Sequence, residues 1–372
     1  MRLFFLFCLS LLLLTCTEAP PDDWAADFTV PADAYKPMPF WHINDTLTRE
    51  GITRQMREAK ELAGFTGISV LPLNNYFRPN GDVKVGTSPE FLTEEYFALF
   101  QHVLDVAREL DMEIILYDDV DFPSGMAGGK MEEQFPEYTA KRLDKIEKAI
   151  RGGTRIRESV PAGKLLGVVA LDTTTYESID LRSLITDDEL DWTAPPGNWQ
   201  LMYFVSVTDK PHKKYRTVDF LNPEAVERYL TLTYDEYYRR FGDYFGNTIK
   251  VSFFDDIGFW RHPRAWTHGF NDKFEALNGF DPAPHYPALW YDVGPETQAL
   301  RNAFFRTRAE LLAEGYPKLI AQWAKKHGIQ DTGHPPGNYD PTPIDMNGDI
   351  FKFFRHTAIP LTDAIIRYQF GQ

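Results

Sequence analysis

Short apolar runs that alternate with amphipathic helical stretches constrain this chain more than any other feature. MPFWHIND, FTGISVLPL and MEIILYDD each have strand character. Between the first two, TREGITRQMREAKELAG places Ile52, Met56 and Leu62/Ala63 on one face and stops at Gly64. Between the second and third, TEEYFALFQHVLDVAREL offers Thr93 as a cap, Glu94 and Glu95 to suit the N-terminal dipole, and Phe97, Phe100, Leu104 and Ala107 as an apolar face. Near-continuous apolar strands that alternate with such helices predict a parallel sheet of α/β type, covered by helices on its outer side.

The rhythm breaks after residue 150. KLLGVVALD, ESIDL and DWTAPPGNWQLMYFVSV are short β signals separated by turn residues, with no helix between them, and predict an inserted all-β domain over 151–216. The helical text resumes at NPEAVERYL, with Asn222 as cap and Pro223 in the first turn, and leads to a fourth strand, TIKVSFFDD. A long helical stretch interrupted by Gly315 and Pro317 follows, then a fifth strand in IQDTGHPP and a sixth near HTAIPLTDAI. A (β/α)₈ barrel needs eight such units. The expectation is therefore a TIM-type barrel, incomplete here and truncated at its C-terminus, in two parts: 37–150 and 217–372.

The N-terminus is read as a processing signal over residues 1–16 and is left out of the fold. Arg2 supplies a charge, LFFLFCLSLLLL is too short to span a bilayer, and LLTC resembles a lipobox ending at Cys16. Lipidation of Cys16, a polar tether over 17–36 and export to the bacterial cell envelope are expected, with membrane contact through the lipid alone. The other cysteine, Cys8, lies within the signal, so the mature chain would have no disulfide and no cysteine-based metal site. A formal charge of −15 and the lack of any Lys/Arg run argue against a nucleic-acid partner.

Polar groups collect at the predicted strand ends: His42, Asn44 and Asp45; Asp118, Asp119 and Asp121; Asp255 and Asp256; His334. In parallel α/β folds, loops converge over that end of the sheet. Carboxyls packed together repel, so at least one should hold its proton more tightly than usual, and such a pair can serve as acid and base. The glycines of PSGMAGG would let backbone and ligand approach closely. SGMAGGK is not a phosphate loop, because Ser124 stands where the first glycine belongs and Met131 where Ser or Thr is required. Asp118, Asp119 and Asp121 are chemically suited to calcium but lack the calcium-loop spacing. No zinc spacing is present, and no cofactor is expected.

FWHINDTLTREGITRQMREAKELAGFTGISVLPL, LYDDVDFPSGMAGG, DWTAPPGNWQLMYF and DFLNPEAVERYL followed by IKVSFFDDIGF resemble the catalytic region of glycoside hydrolase family 106, the α-L-rhamnosidase-like enzymes. The resemblance runs from about Pro37 to Gly258 and more loosely to Asp363. It implies a barrel-shaped domain that hydrolyses a glycosidic bond of an oligo- or polysaccharide, commonly with inversion and sometimes with calcium. By the same resemblance His42 and Asn44 would bind sugar hydroxyls, and Asp256 stands where relatives often carry Glu and would be proton donor or base. Asp is one methylene shorter than Glu, which disturbs a carboxylate separation on which the stereochemical outcome depends. The pair assigned to catalysis is Asp256 with Asp119, with Asp118, Asp121, Asp255 and His334 in support. Trp260, Tyr76 and Trp41 are candidates to stack on sugar faces. The alternative is a surface lipoprotein that keeps the groove, binds glycans and has lost the chemistry.

Overall fold

The structure, a computed structural model, describes residues 28–74, 86–211, 214–259, 263–337 and 344–363. Cys16, the rest of the signal, Tyr76 and Trp260 lie outside the described residues.

The chain opens with β1 (Phe40–Ile43), α1 (Arg49–Glu61), β2 (Gly67–Pro72), α2 (Glu94–Glu109) and β3 (Glu113–Tyr117). Thr48 caps α1 by accepting from Gly51 N, and Thr93 caps α2 by accepting from Tyr96 N. Ile52 and Met56 of α1 and Phe97, Phe100, Leu104 and Ala107 of α2 are buried against Ile68, Val70, Ile114 and Leu116 of the strands. Leu62, expected on the buried face, is 83% exposed because α1 ends at Glu61 and the chain turns there.

After the short α3 (Lys130–Gln134) come β4 (Lys141–Arg151), β5 (Arg155–Ser159), β6 (Leu165–Asp172), β7 (Ser178–Asp180), β8 (Ile185–Thr186), β9 (Glu189–Thr193) and β10 (Asn198–Thr208). β10 pairs antiparallel with β4 along its whole length and with β6 on its other side. The antiparallel strands thus begin at Lys141, inside the stretch read from sequence as the first barrel part. α4 (Pro223–Leu232), α5 (Tyr234–Phe241), β11 (Ile249–Phe254), β12 (Ala265–Trp266), α6 (Phe270–Asn278), α7 (Thr297–Glu314), α8 (Tyr316–Lys326), β13 (Gln330–Gly333), α9 (Ile344–Asn347), α10 (Ile350–Phe353) and β14 (Ile359–Pro360) complete the order. β12 joins the edge of β4, and Trp266, Phe270 and Phe304 share a core with Leu143, Val169, Met202 and Phe204.

The parallel sheet has the order β1-β2-β3-β11-β13-β14, every pair parallel. Each strand therefore lies beside its sequence neighbour once the antiparallel strands are set aside. Among the described residues the edge strands β1 and β14 do not pair with each other, so the sheet is open rather than a closed barrel. The break expected at Gly315 is present between α7 and α8, where a Cβ would stand 2.4 Å from Phe220 O. No described helix is long and apolar enough to cross a membrane.

One group on the outer face of this sheet yields a pH prediction. Asp331, paired in register with Ser252, is 1% exposed; its Oδ1 accepts from Ala358 N, and its Oδ2 has no hydrogen-bond partner among the described residues. Burial pushes its carboxyl up to about 6 from an ordinary 3.8. Between those values the folded state binds more protons than the unfolded state, so stability falls as pH rises through the window. Asp331→Asn should therefore stabilise the protein at pH 8 by about 1–3 kcal/mol, with the gain vanishing towards pH 4. Urea unfolding at the two pH values measures this, and a gain that is equal at both would refute it.

Candidate active site

The register of the parallel sheet brings three chain segments to one rim. Tyr117 is paired with Phe253, and Phe254 with Gly333, so the residues that follow emerge side by side at strand spacing. Asp255 and His334 are neighbours for this reason. The His334 Nε2 lies 3.1 Å from Asp255 Oδ1, and its Nδ1 lies 3.6 Å from Asp256 Oδ1. Tyr117, 1% exposed, donates its hydroxyl to Asp255 Oδ2 at 2.8 Å. Phe253 stacks on the Tyr117 ring and meets His334 edge-on, forming an apolar floor.

The state of His334 follows from its partners. Nδ1 faces the Pro335 carbonyl at 3.1 Å, which can only accept, and Nε2 faces a carboxylate. Both nitrogens therefore donate, which is the pattern of an imidazolium. Burial alone would pull the ring down, but the hydrogen bond to Asp255 and the charges of Asp255 and Asp256 hold it up to about 9. Asp256 takes a left-handed backbone with φ +52°, a conformation Asp tolerates better than most residues. The Asp255 and Asp256 side chains are almost equally buried, at 12% and 13% exposed.

The loop after β3 has a different role from the one read in the sequence. Asp119 is fully buried, and its carboxylate accepts from the backbone N–H groups of Val120, Gly125, Met126, Ala127 and Gly128 at 2.7–2.9 Å. Asp118 accepts from Ser124, Tyr234 and Tyr316 hydroxyls. Burial pushes Asp118 up to about 7 and Asp119 up to about 6, against the donors that pull the other way. Asp119 is thus the anchor of its own loop and no partner for Asp256, because its acceptor positions are spent on the backbone. Asp121, also buried, has φ +61° and its carboxylate accepts from Asn74 N, so it ties the β2 end to the β3 loop.

The loop glycines pack against side chains and do not open space for a ligand. A Cβ on Gly125 would meet Phe220 at 2.8 Å, and one on Gly129 would meet Tyr215 at 2.6 Å. His42 and Asn44 stand exposed at the end of β1, on the same rim but separated from Asp255 by β2 and β3. Trp41 points to the helix side, where its Nε1 donates to Gln55 Oε1, so it does not stack on a ligand at the rim. Tyr117 and Ser124 were not singled out from the sequence. The signal for Tyr117 was its place as the last strand residue before the acidic pair.

Among the described residues, Asp255, Asp256 and His334 are the one group whose ligand atoms come within 4.8 Å of one another. With both His334 nitrogens donating, the group forms a shared proton network of one imidazolium and two carboxyl groups. Calcium at Asp118, Asp119 and Asp121 does not fit, since the first two carboxylates are turned onto hydroxyls and amides. A cavity lined by Pro123, Lys141, Asp219, Gly258 and Phe259 adjoins the rim between these loops and β4.

The profile of the glycoside hydrolase family 106 alpha-L-rhamnosidases matches residues 167–363, more than half of the chain. The chain belongs to that family of O-glycosyl hydrolases. The family 106 match takes in Asp255, Asp256 and His334 and leaves out the loop of Asp118 and Asp119. A protein of Formosa agariphila described as "Putative beta-glucuronidase" is 23% identical over 381 residues, covering 87% of this chain and 31% of its own length. A solved rhamnosidase from Novosphingobium sp. PP1Y superposes with a TM-score of 0.66 at 17% identity, covering 89% of this chain and 48% of that one. At these identities the likeness to the solved enzyme carries the mixed α/β fold. The chain spans about a third of the first relative and about half of the second.

Proposed function

We propose that the rim formed by Asp255, Asp256 and His334 is the catalytic face of a glycoside hydrolase that cleaves oligo- or polysaccharide, with α-L-rhamnosides as the first substrate class. The observation that carries this reading is the placement of two adjacent acids and an imidazolium at the C-terminal ends of neighbouring parallel strands, inside the span matched by family 106. A sequential order of parallel strands is a feature shared with TIM-type barrels, in which such ends bear the chemistry, and it supports this reading. In this role Asp256 is the reacting carboxylate, acting on water or on the anomeric centre. Asp255, fixed by Tyr117 and His334, orients the imidazolium that balances the two negative charges.

Glycoside hydrolysis ordinarily uses two carboxyl groups on either side of the scissile bond. Asp119 is unavailable, and Asp118 and Asp121 are buried beneath the rim. That observation supports a second reading, in which the groove binds glycans and does not hydrolyse them. The test is an assay of the full-length protein on aryl α-L-rhamnoside and aryl β-D-glucuronide, with oligosaccharide binding measured in parallel. Turnover of the rhamnoside supports the first reading, and turnover of the glucuronide alone corrects the sugar. Binding without turnover selects the second reading, and neither binding nor turnover refutes both.

A further inference from the structure

Behind the rim, a set of buried polar residues takes no part in the chemistry above. Asp118 Oδ2 accepts from Tyr316 OH at 2.7 Å and from Tyr234 OH at 3.2 Å, and the Asp118 carbonyl accepts from Tyr229 OH at 3.1 Å. Asp118 Oδ1 accepts from Ser124, whose side chain is fully buried. The same Ser124 oxygen accepts from Asp255 N at 2.9 Å, and Ser124 N donates to Asp255 O, also at 2.9 Å. Both backbone groups of Asp255 are therefore engaged by one residue of the β3 loop.

The two bonds act together, the side-chain bond to Asp255 N holding the loop so that Ser124 N stays on the Asp255 carbonyl. The Asp255 carbonyl belongs to the peptide plane that joins Asp255 to Asp256. Holding that oxygen fixes the plane, and the left-handed φ of +52° at Asp256 is measured from it. The direction in which the Asp256 carboxylate leaves the strand is then set by Ser124 N. The Ser124 hydroxyl is itself held, because the Asp118 carboxylate that receives its hydrogen is clamped from behind by two tyrosines. A buried hydroxyl bonded on both sides in this way has no alternative rotamer that satisfies both partners.

We propose that Ser124 is a positioning residue of the active site, joining the β3 and β11 ends so that Asp255 meets His334 and Asp256 takes its reactive direction. This inference rests on the hydrolase reading of the rim but is testable apart from it. Ser124→Ala removes the hydroxyl and leaves a buried Asp118 oxygen without its donor and Asp255 N without its acceptor. Ser124→Thr keeps the hydroxyl.

The experiment measures steady-state kinetics on the aryl glycoside and, without substrate, the NMR titration of the His334 imidazole in the full-length protein. In S124A, kcat should fall by about ten- to a hundredfold with KM within about twofold. The His334 midpoint should drop by about half a unit or more, since a displaced Asp255 no longer offsets burial of the ring. S124T should restore both values. If S124A does not fold, Ser124→Cys, similar in shape but a poor acceptor, should show the same two losses. A folded S124A with unchanged kcat and an unchanged His334 titration overturns the proposal. If the unmodified protein hydrolyses no glycoside, the hydrolase reading fails, and the His334 midpoint in S124A still decides the role of Ser124.

Discussion

Replacing Asp256 by Asn is expected to lower kcat/KM on the aryl glycoside by about 10²–10⁴-fold, the range associated with loss of a positioned acid or base. The protein should stay folded while doing so. Asn matches Asp in shape and is among the few residues that accept a left-handed backbone, so φ +52° remains attainable. The His334 ring loses only its more distant partner, at 3.6 Å, and keeps Asp255 at 3.1 Å together with the Pro335 carbonyl. What disappears is one of the two carboxyl groups that face the imidazolium. Circular dichroism and thermal unfolding should therefore resemble those of the unmodified protein, and saccharide binding should persist. Unchanged turnover in a folded D256N would remove Asp256 from the mechanism.

Much of the parallel sheet was legible because its signals are local. Thr93, Asn222 and Pro223 stand at helix starts where capping chemistry places them, and Gly315 with Pro317 marks the break between α7 and α8. The strands ending in Tyr117 and Phe254 are apolar runs bounded by acids, and the fifth and sixth strands also fall within the stretches read for them. β4 was hidden by its composition. In KRLDKIEKAIR only Leu143 and Ile150 are buried, while Ile146 is 51% exposed, so no clean alternation marks it as a strand.

The acids could be located on the rim but not oriented. Strand alternation predicts facing only while the strand lasts, and Asp118 and Asp119 are the first residues beyond it. Which way they turn depends on how the loop returns. Left-handed turns at Asp121, Gly125, Ala127 and Gly128 bring the amides of 125–128 back over Asp119. Two consecutive acids at a strand end looked the same at both sites in the sequence. In the fold, one pair is buried under hydroxyls and amides, and the other meets an imidazolium.

That difference gives the largest expected effect on stability. Asp119→Ala should destabilise the protein by about 3–5 kcal/mol or prevent folding, since a buried donor left unpaired costs about 1–3 kcal/mol. Five backbone N–H groups converge on this fully buried carboxylate. Relaxation of the loop should recover part of the loss but would carry Ser124, and with it Asp255, out of place. Asp119→Asn should fare little better, because its NH₂ group would face amides that also donate. A catalytic Asp119 predicts the opposite, with D119N folding normally and failing only in turnover. Urea unfolding of D119N and D256N side by side separates the two roles. Loss of stability in the first and loss of turnover alone in the second is the expected pattern. A D119N with a normal unfolding midpoint and no activity would return Asp119 to the chemistry and leave the buried-anchor assignment without support.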